Sequence, residues 1–386
     1  MAHVLAPDCV ELGPDVIRKM RVEASQGNAS REIGLAMGED LAAVFAFVSP
    51  KARFHDFAAA LDREIPAPTV ACTTAGEIDQ GYVDDGIVAL GLPRSHFAVA
   101  TIPVPSLDDV DRPHLINEIA RRRQTLEINN PAFEYEFAFL VVDGTSERED
   151  MLIDVISHGI GSMPVFGGSA GDGTRFHCSL VAYKGRTMER AAVLTLVRTS
   201  CPVQVFSFDH LEPGEDRMVV TRADPDKRLV MEINASPTAS EYARLLGKDR
   251  DNLDPFTFAA HPLVVRVAGS YFVRSIQRIT PEGHLKFFSA IDEGVVLTVA
   301  ALKDIAKELE QDFSGIYRGR ELDTVLACDC VLRRIAAQQT QASRDVSSVL
   351  ERHKVVGFST YGEQVGGMHV NLTMTGVALF RPPETH

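Results

Sequence analysis

Val70-Ala71-Cys72-Thr73-Thr74-Ala75-Gly76-Glu77 decides the reading of this chain, because two later stretches repeat its grammar. They are Val165-Phe166-Gly167-Gly168-Ser169-Ala170-Gly171-Asp172 and Val356-Gly357-Phe358-Ser359-Thr360-Tyr361-Gly362-Glu363. Each is an apolar run ending in small or hydroxyl residues, then a glycine followed by an acid. The glycine permits a positive φ at a turn. The acids Glu77, Asp172 and Glu363 read as turn-stabilising groups, since a structural turn recurs with a fold whereas catalytic machinery need occur only once.

Working outward, the first copy is preceded by an apolar strand at 43–48 and a helical stretch at 54–64, and is followed by a strand at 86–92. The second copy has the same parts at 137–142, 148–160, 178–183 and 191–197, and the third has them at 324–330, 347–353 and 370–380. Apolar runs without polar alternation predict strands covered on both faces, and Met151, Ile153, Val155 and Ile156 give the second helical stretch an apolar face. A different region separates the second and third copies. Strands at 219–223 and 229–233 flank an Asp-Pro-Asp turn, a helix spans 236–246, and strands follow at 263–267, 271–279 and 285–289. A solvated helix follows at 304–311.

This pattern predicts an α+β protein of two domains, built from repeated βαββ units whose mixed or antiparallel sheets are covered by helices in a helix–sheet–sheet–helix layering. The expected division is an N-terminal extension at 1–25, a first domain at 26–200 and a second at 201–386. The 386 residues, 45% hydrophobic and 24% charged, suit two globular domains. A formal net charge of −14 argues against general attraction to nucleic acid or anionic membranes. The start of the sequence lacks a basic segment followed by an apolar one, and no apolar run is long enough to span a bilayer, so no membrane partner and a cytoplasmic location are expected. The six cysteines are then mainly thiols. Cys328 and Cys330 share a strand face and read as buried thiols before a zinc or redox pair. Gly167–Gly173 lacks the Lys-Ser/Thr of a phosphate loop, although its amides could receive an anion.

Ala71-Cys72-Thr73-Thr74-Ala75-Gly76-Glu77-Ile78 resembles the signature of the N-terminal FIST domain. Residues 219–246 and Gly357-Phe358-Ser359-Thr360-Tyr361-Gly362-Glu363 resemble the start and end of the C-terminal FIST domain. Within that family, residues 261–267, Val273-Arg274-Ser275-Ile276-Gln277, Ala290-Ile291-Asp292-Glu293-Gly294, Cys328-Asp329-Cys330-Val331-Leu332-Arg333-Arg334 and Tyr361-Gly362-Glu363-Gln364 look most similar to the nitric-oxide-sensing NosP haemoproteins. The resemblance implies a non-enzymatic sensor that binds haem b, detects nitric oxide and regulates a partner histidine kinase in biofilm or cell-cell signalling. Oligomeric state stays open, with a homodimer among the options.

Such a sensor needs an axial ligand and cationic groups for the haem propionates. The residues just beyond the three Gly-acid turns, Tyr82, His177 and His369, are candidate ligands, His369 and His177 before the others, and His261 is a further one. Arg266, Arg274 and Arg278 are candidate propionate partners. Two other readings stand beside this one. One is a FIST sensory domain that binds another small molecule, such as an amino acid, without haem; the other is a hydrolase or thiol enzyme using Cys72 or a turn threonine.

Overall fold

The computed structural model describes residues 15–267 and 269–382. Residues 1–14 of the expected N-terminal extension, Cys9 among them, lie outside the described residues.

The three sequence copies fold into three units of one plan. The first runs from edge strand Arg18–Glu23 and helix Ala29–Met37 to central strand Leu41–Val48, helix Phe54–Glu64, strand Thr69–Thr73, a hairpin of Glu77–Asp79 with Tyr82–Val83, and closing strand Gly86–Pro93. The second repeats this order as Phe97–Val104, Arg112–Asn129, Tyr135–Asp143, Glu149–Ile160, Val165–Ala170, the hairpin Val181–Tyr183 with Arg186–Met188, and Ala192–Thr199. The third has Val203–Phe208, Ile305–Tyr317, Leu322–Cys330, helices Val331–Gln339 and Ser343–Arg352, Val355–Thr360, the hairpin Glu363–Val365 with Met368–Val370, and Met374–Phe380.

Each sheet is mixed. Its central strand runs parallel to the strand after the helix and antiparallel to the closing strand. The hairpins do not stay at home. That of the first unit pairs with Val355–Thr360 of the third, that of the second with Thr69–Thr73 of the first, and that of the third with Val165–Ala170 of the second. Every unit therefore lends one hairpin and receives another, so the three sheets close into a ring. This exchange explains two departures from the sequence reading. The 178–183 stretch supplies only Val181–Tyr183, as half of a lent hairpin. The 370–380 stretch is interrupted at 371–373, with Leu372 at φ 53°, because the chain there leaves a neighbour's sheet and returns to its own.

Strands that are apolar on both faces now have two partners. Their inner faces meet in one shared core, where Phe47 of the first unit stacks on Phe358 of the third at 4.6 Å and lies 6.3 Å from Phe139 of the second. Their outer faces pack under the unit's own helices. All of Leu41–Val48 is buried as a result. Three sheets thus back onto one another where the sequence predicted two layers. The 200 boundary falls in the short link between Ala192–Thr199 and Val203–Phe208.

Residues 211–302 form a second architecture. The strand order is Ser270–Arg274, Leu263–Val267, Val296–Leu302, Leu211–Asp224, Leu229–Ile233, Leu285–Phe287, Ile276–Ile279. The two outermost strands are consecutive in the chain and joined through Ser275 alone. One residue spans at most ~3.6 Å, whereas flat strands at ~4.8 Å spacing would hold these edges on the order of 30 Å apart. The sheet must therefore curl until its edges meet, and the expected single strand at 271–279 becomes two. Met218, Tyr242, Phe258 and Phe287 fill the interior of this barrel.

Replacing Phe47 by Ala removes the ring that touches both other units. Urea unfolding should show a loss of about 3–5 kcal/mol, the usual cost of deleting a buried aromatic side chain.

Candidate functional site

The Gly-acid turns hold the ring together. The Thr74 hydroxyl donates to Glu77 Oε1, and the Gly86 amide donates to Oε2 at 3.0 Å. The third unit repeats this arrangement: Thr360 donates to Glu363 Oε1 at 2.5 Å, and the Thr373 hydroxyl donates to Oε2 at 2.8 Å. Each glutamate ties the end of one strand to the start of the closing strand. Burial pushes Glu77 up to about 7 and Glu363 up to about 8, against the hydrogen bonds that favour their charged forms.

The second unit departs from this pattern. Its acid is the shorter Asp172, which accepts from the backbone amides of Phe176 at 2.8 Å and of His177 and Cys178 at 3.2 Å each, and from the Tyr361 hydroxyl. The carboxylate thereby organises the loop that follows it. Tyr361 stands where the other copies carry Ala75 and Ala170, and its ring lies 4.4 Å from that of Phe176.

The three residues beyond the turns occupy three separate junctions. Tyr82 donates its hydroxyl to buried Asp329 at 2.8 Å under the Arg334 guanidinium, so it locks the first hairpin onto the third unit. Burial drives this phenol well above its ordinary range. Gly76, at φ 134°, makes room for Arg334, whose Nη1 would lie 2.0 Å from a Cβ there. His369 is 3% exposed, with Nδ1 beside Gln364 Nε2 at 3.1 Å and its other edge against Gly362. Burial lowers its pKa, and its Nε2 is buried without a hydrogen-bond partner among the described residues, so nothing in solvent reaches it as the chain stands. His177 is exposed, and its imidazole has no hydrogen-bond partner among the described residues.

The remaining candidates lie elsewhere. His261 ends helix Pro255–Ala260, where its carbonyl accepts from Tyr242 at 2.6 Å. Arg266 projects from the barrel over the Tyr271 ring, and Arg274 Nη1 donates to the Val273 carbonyl at 3.0 Å. Cys328 and Cys330 are fully buried, and burial pushes both thiols well up, as it does that of Cys72.

His177 lies on a cleft of 510 Å³ between the ring and the barrel. The ring contributes Gly144, Thr145, Glu147, the 174–177 loop and Tyr361; the barrel contributes Arg228, Gln277, Arg278, Lys286, Phe287 and Phe288. Phe176 bridges the two walls, 5.5 Å from Phe288. Among the described residues, two cations of the barrel pair with acids of the ring: buried Arg228 binds Glu149 at 2.7 Å and Asp150 at 3.1 Å, and Lys286 binds Glu147 at 2.6 Å. This volume lies within the range of small-molecule and cofactor sites. An unpartnered imidazole, the rings of Phe176, Phe288 and Tyr361 and nearby cations are groups of the kind that a haem would require. The sequence points to His177 and Arg278 but not to Phe176, Arg228, Lys286, Phe288 and Tyr361. Only Tyr361 carried a signal, as the one bulky residue at a repeated small position.

These features define a two-domain α+β protein with a ligand-sized cleft between its parts. The chain belongs to the FIST family, matching the FIST N domain over residues 42–236 and the FIST C domain over residues 238–366. FIST domains are sensory domains of signal transduction. The chain is also similar to an uncharacterized protein of Methanocaldococcus jannaschii, at 22% identity over 354 residues, covering 80% of this chain and 67% of the relative. Among the described residues no helix is long and apolar enough to cross a membrane.

The buried glutamates set a pH dependence. A carboxyl whose folded pKa is raised stabilises fully below its unfolded value near 4.5, and that contribution is lost as pH rises through about 8 for Glu363. Glu363→Gln should flatten this fall: thermal unfolding from pH 5 to 9 should show a smaller drop in Tm than the parent.

Proposed function

We propose that this FIST protein is a haem-binding nitric oxide sensor that regulates a partner histidine kinase, with the cleft as the seat of haem b and His177 as its iron ligand. One observation carries the reading: the three amides bound to Asp172 hold His177 on the wall of an aromatic, cation-bearing cleft with its imidazole unengaged. Haem held there would supply an iron centre able to bind nitric oxide. The chain's own residues do the rest. Phe176 and Phe288 offer apolar surface, while Arg278 and Lys286 offer cations for propionate carboxylates.

Signal output follows from where the cleft lies. Its walls belong to different bodies, so a ligand that favours one spacing of ring and barrel biases the Arg228 and Lys286 pairs across them. A kinase that contacts both bodies reads that bias, and the chain binds and reports without catalysing. A second reading, an amino acid in the same cleft without haem, draws on Glu147 beside Lys286 and Arg278, which together offer partners to an ammonium and a carboxylate.

Titrating the purified chain with hemin should give a saturable Soret band, and the ferrous form should shift on adding nitric oxide. His177→Ala should abolish the ligand-bound spectrum, His369→Ala should retain it, and nitric oxide should change kinase autophosphorylation only with the haem-loaded parent. A colourless protein, or an unchanged spectrum in His177→Ala, would refute the assignment.

A further inference from the structure

The barrel is an insertion, so the chain passes between ring and barrel twice, at residues 209–210 on the way out and 303–304 on the way back. The two passages are bound together. The Lys303 amide donates to the His210 carbonyl at 2.7 Å, and Leu211 and Leu302 open the strand pair that follows. Asp304 then fixes the return to helix Ile305–Tyr317 by accepting from the Ala306 and Lys307 amides at 3.1 Å each. This two-chain stalk has a side-chain anchor. His210 is 1% exposed, with Nδ1 2.8 Å from Arg333 Nη1. A guanidinium only donates, so Nδ1 accepts. Burial, then the cations Arg333 and Lys303, lower His210 to about 2, which keeps the imidazole neutral and able to accept.

Behind Arg333 the series of contacts runs into the ring. Arg333 binds Asp329 at 2.7 Å, both of them buried, and Asp329 accepts from the Tyr82 hydroxyl at 2.8 Å. Arg333 and Asp329 belong to the third unit, and Tyr82 to the hairpin that the first unit lends it. Removing either partner of a buried ion pair is strongly destabilising. His210 is thus gripped by groups that are themselves fixed.

Barrel and ring are also tied at the cleft, where Arg228 and Lys286 meet Glu149 and Glu147 of the second unit. An apolar cluster joins the two places. It runs from Leu211 at the stalk to Phe288 and Tyr361 at the cleft, and includes Val331, Leu332 and Leu372 of the third unit. Apolar packing is non-directional, whereas hydrogen bonds fix a direction, so the polar ties at the two ends set the angle of the barrel. One end is covalent and clamped; the other is a cleft. We infer that His210 is the positioning residue of the joint: the barrel turns about the stalk, and the series His210–Arg333–Asp329–Tyr82 sets how readily the cleft opens. This role rests on the cleft being the ligand site, and it holds whichever ligand enters.

The test is hydrogen exchange of the full chain without ligand, so a failure to bind hemin would remove the haem and leave this result standing. His210→Leu deprives Arg333 Nη1 of its acceptor. It should speed exchange in the 173–177 loop and in Ile276–Ile279 roughly tenfold, as loss of one hydrogen bond to a charged group predicts, while the three exchanged hairpins hold their rates. His210→Gln, whose amide oxygen accepts in place of Nδ1, should restore the parent rates. Because His210→Leu could disrupt the stalk, Tyr82→Phe serves as the second variant, removing one hydroxyl at the ring end of the series. It should speed the same two segments, and adding it to His210→Leu should bring no further increase there. Unchanged rates at the cleft, equal acceleration of the hairpins in His210→Leu, no rescue by His210→Gln, or additive effects of the two changes would overturn the assignment.

Discussion

Each of the three sheets ends in a strand whose outer edge would be open if its own hairpin were the only supply. An unpaired edge is an invitation to wrong pairing. The ring resolves this by sending every hairpin to the next sheet, and the glutamates at the turns fix the exits. Because Glu77 and Glu363 bind both the departing strand end and the returning strand start, the hairpin between them cannot rotate home without breaking buried hydrogen bonds. The shared aromatic core then gives the three units a common interior, with Phe47, Phe139 and Phe358 from different units in contact.

Function sits where this symmetry is broken. At two junctions the acid is a glutamate that closes the turn on itself. At the third it is Asp172, one methylene shorter, and it reaches forward to hold the loop bearing His177. The Tyr361 side chain that replaces an alanine clamps this loop from a neighbouring unit. The barrel, inserted between Val203–Phe208 and Ile305–Tyr317, supplies the opposite wall. Ring and barrel are tied across the cleft by Arg228, whose pairing with Glu149 is buried. A lone charge there would be strongly destabilising, so the two bodies are held in register as long as the pair is intact.

The sequence disclosed the repeats because strands and helices leave local periodicity, and helix Phe54–Glu64 has the bounds its apolar face predicts. The α+β class and mixed sheets were legible for the same reason. The hairpin exchange was not, since pairing partners such as Phe358 and Glu77 lie far apart in the chain and no local pattern encodes which sheet a hairpin joins. The barrel closure was hidden for a similar reason: Ser275 looks like any strand residue until its two sides are seen at opposite sheet edges. Of the site, His177 was legible by its place after a turn. Its aromatic and cationic neighbours come from four separate stretches that only the tertiary fold assembles. His369 looked equivalent in sequence and differs in being buried, with Nδ1 taken by Gln364.

The ring acts as one cooperative body, and the cleft is its adjustable joint with the barrel. Hydrogen exchange of the full chain, followed by mass spectrometry, tests this directly. The amides of all three exchanged hairpins should share the slowest, globally protected class, whereas the 173–177 loop and the barrel strand Ile276–Ile279 should exchange faster, and hemin should slow those two segments alone. If one hairpin exchanges separately from the other two, or if protection spreads evenly without regard to the cleft, the account is contradicted.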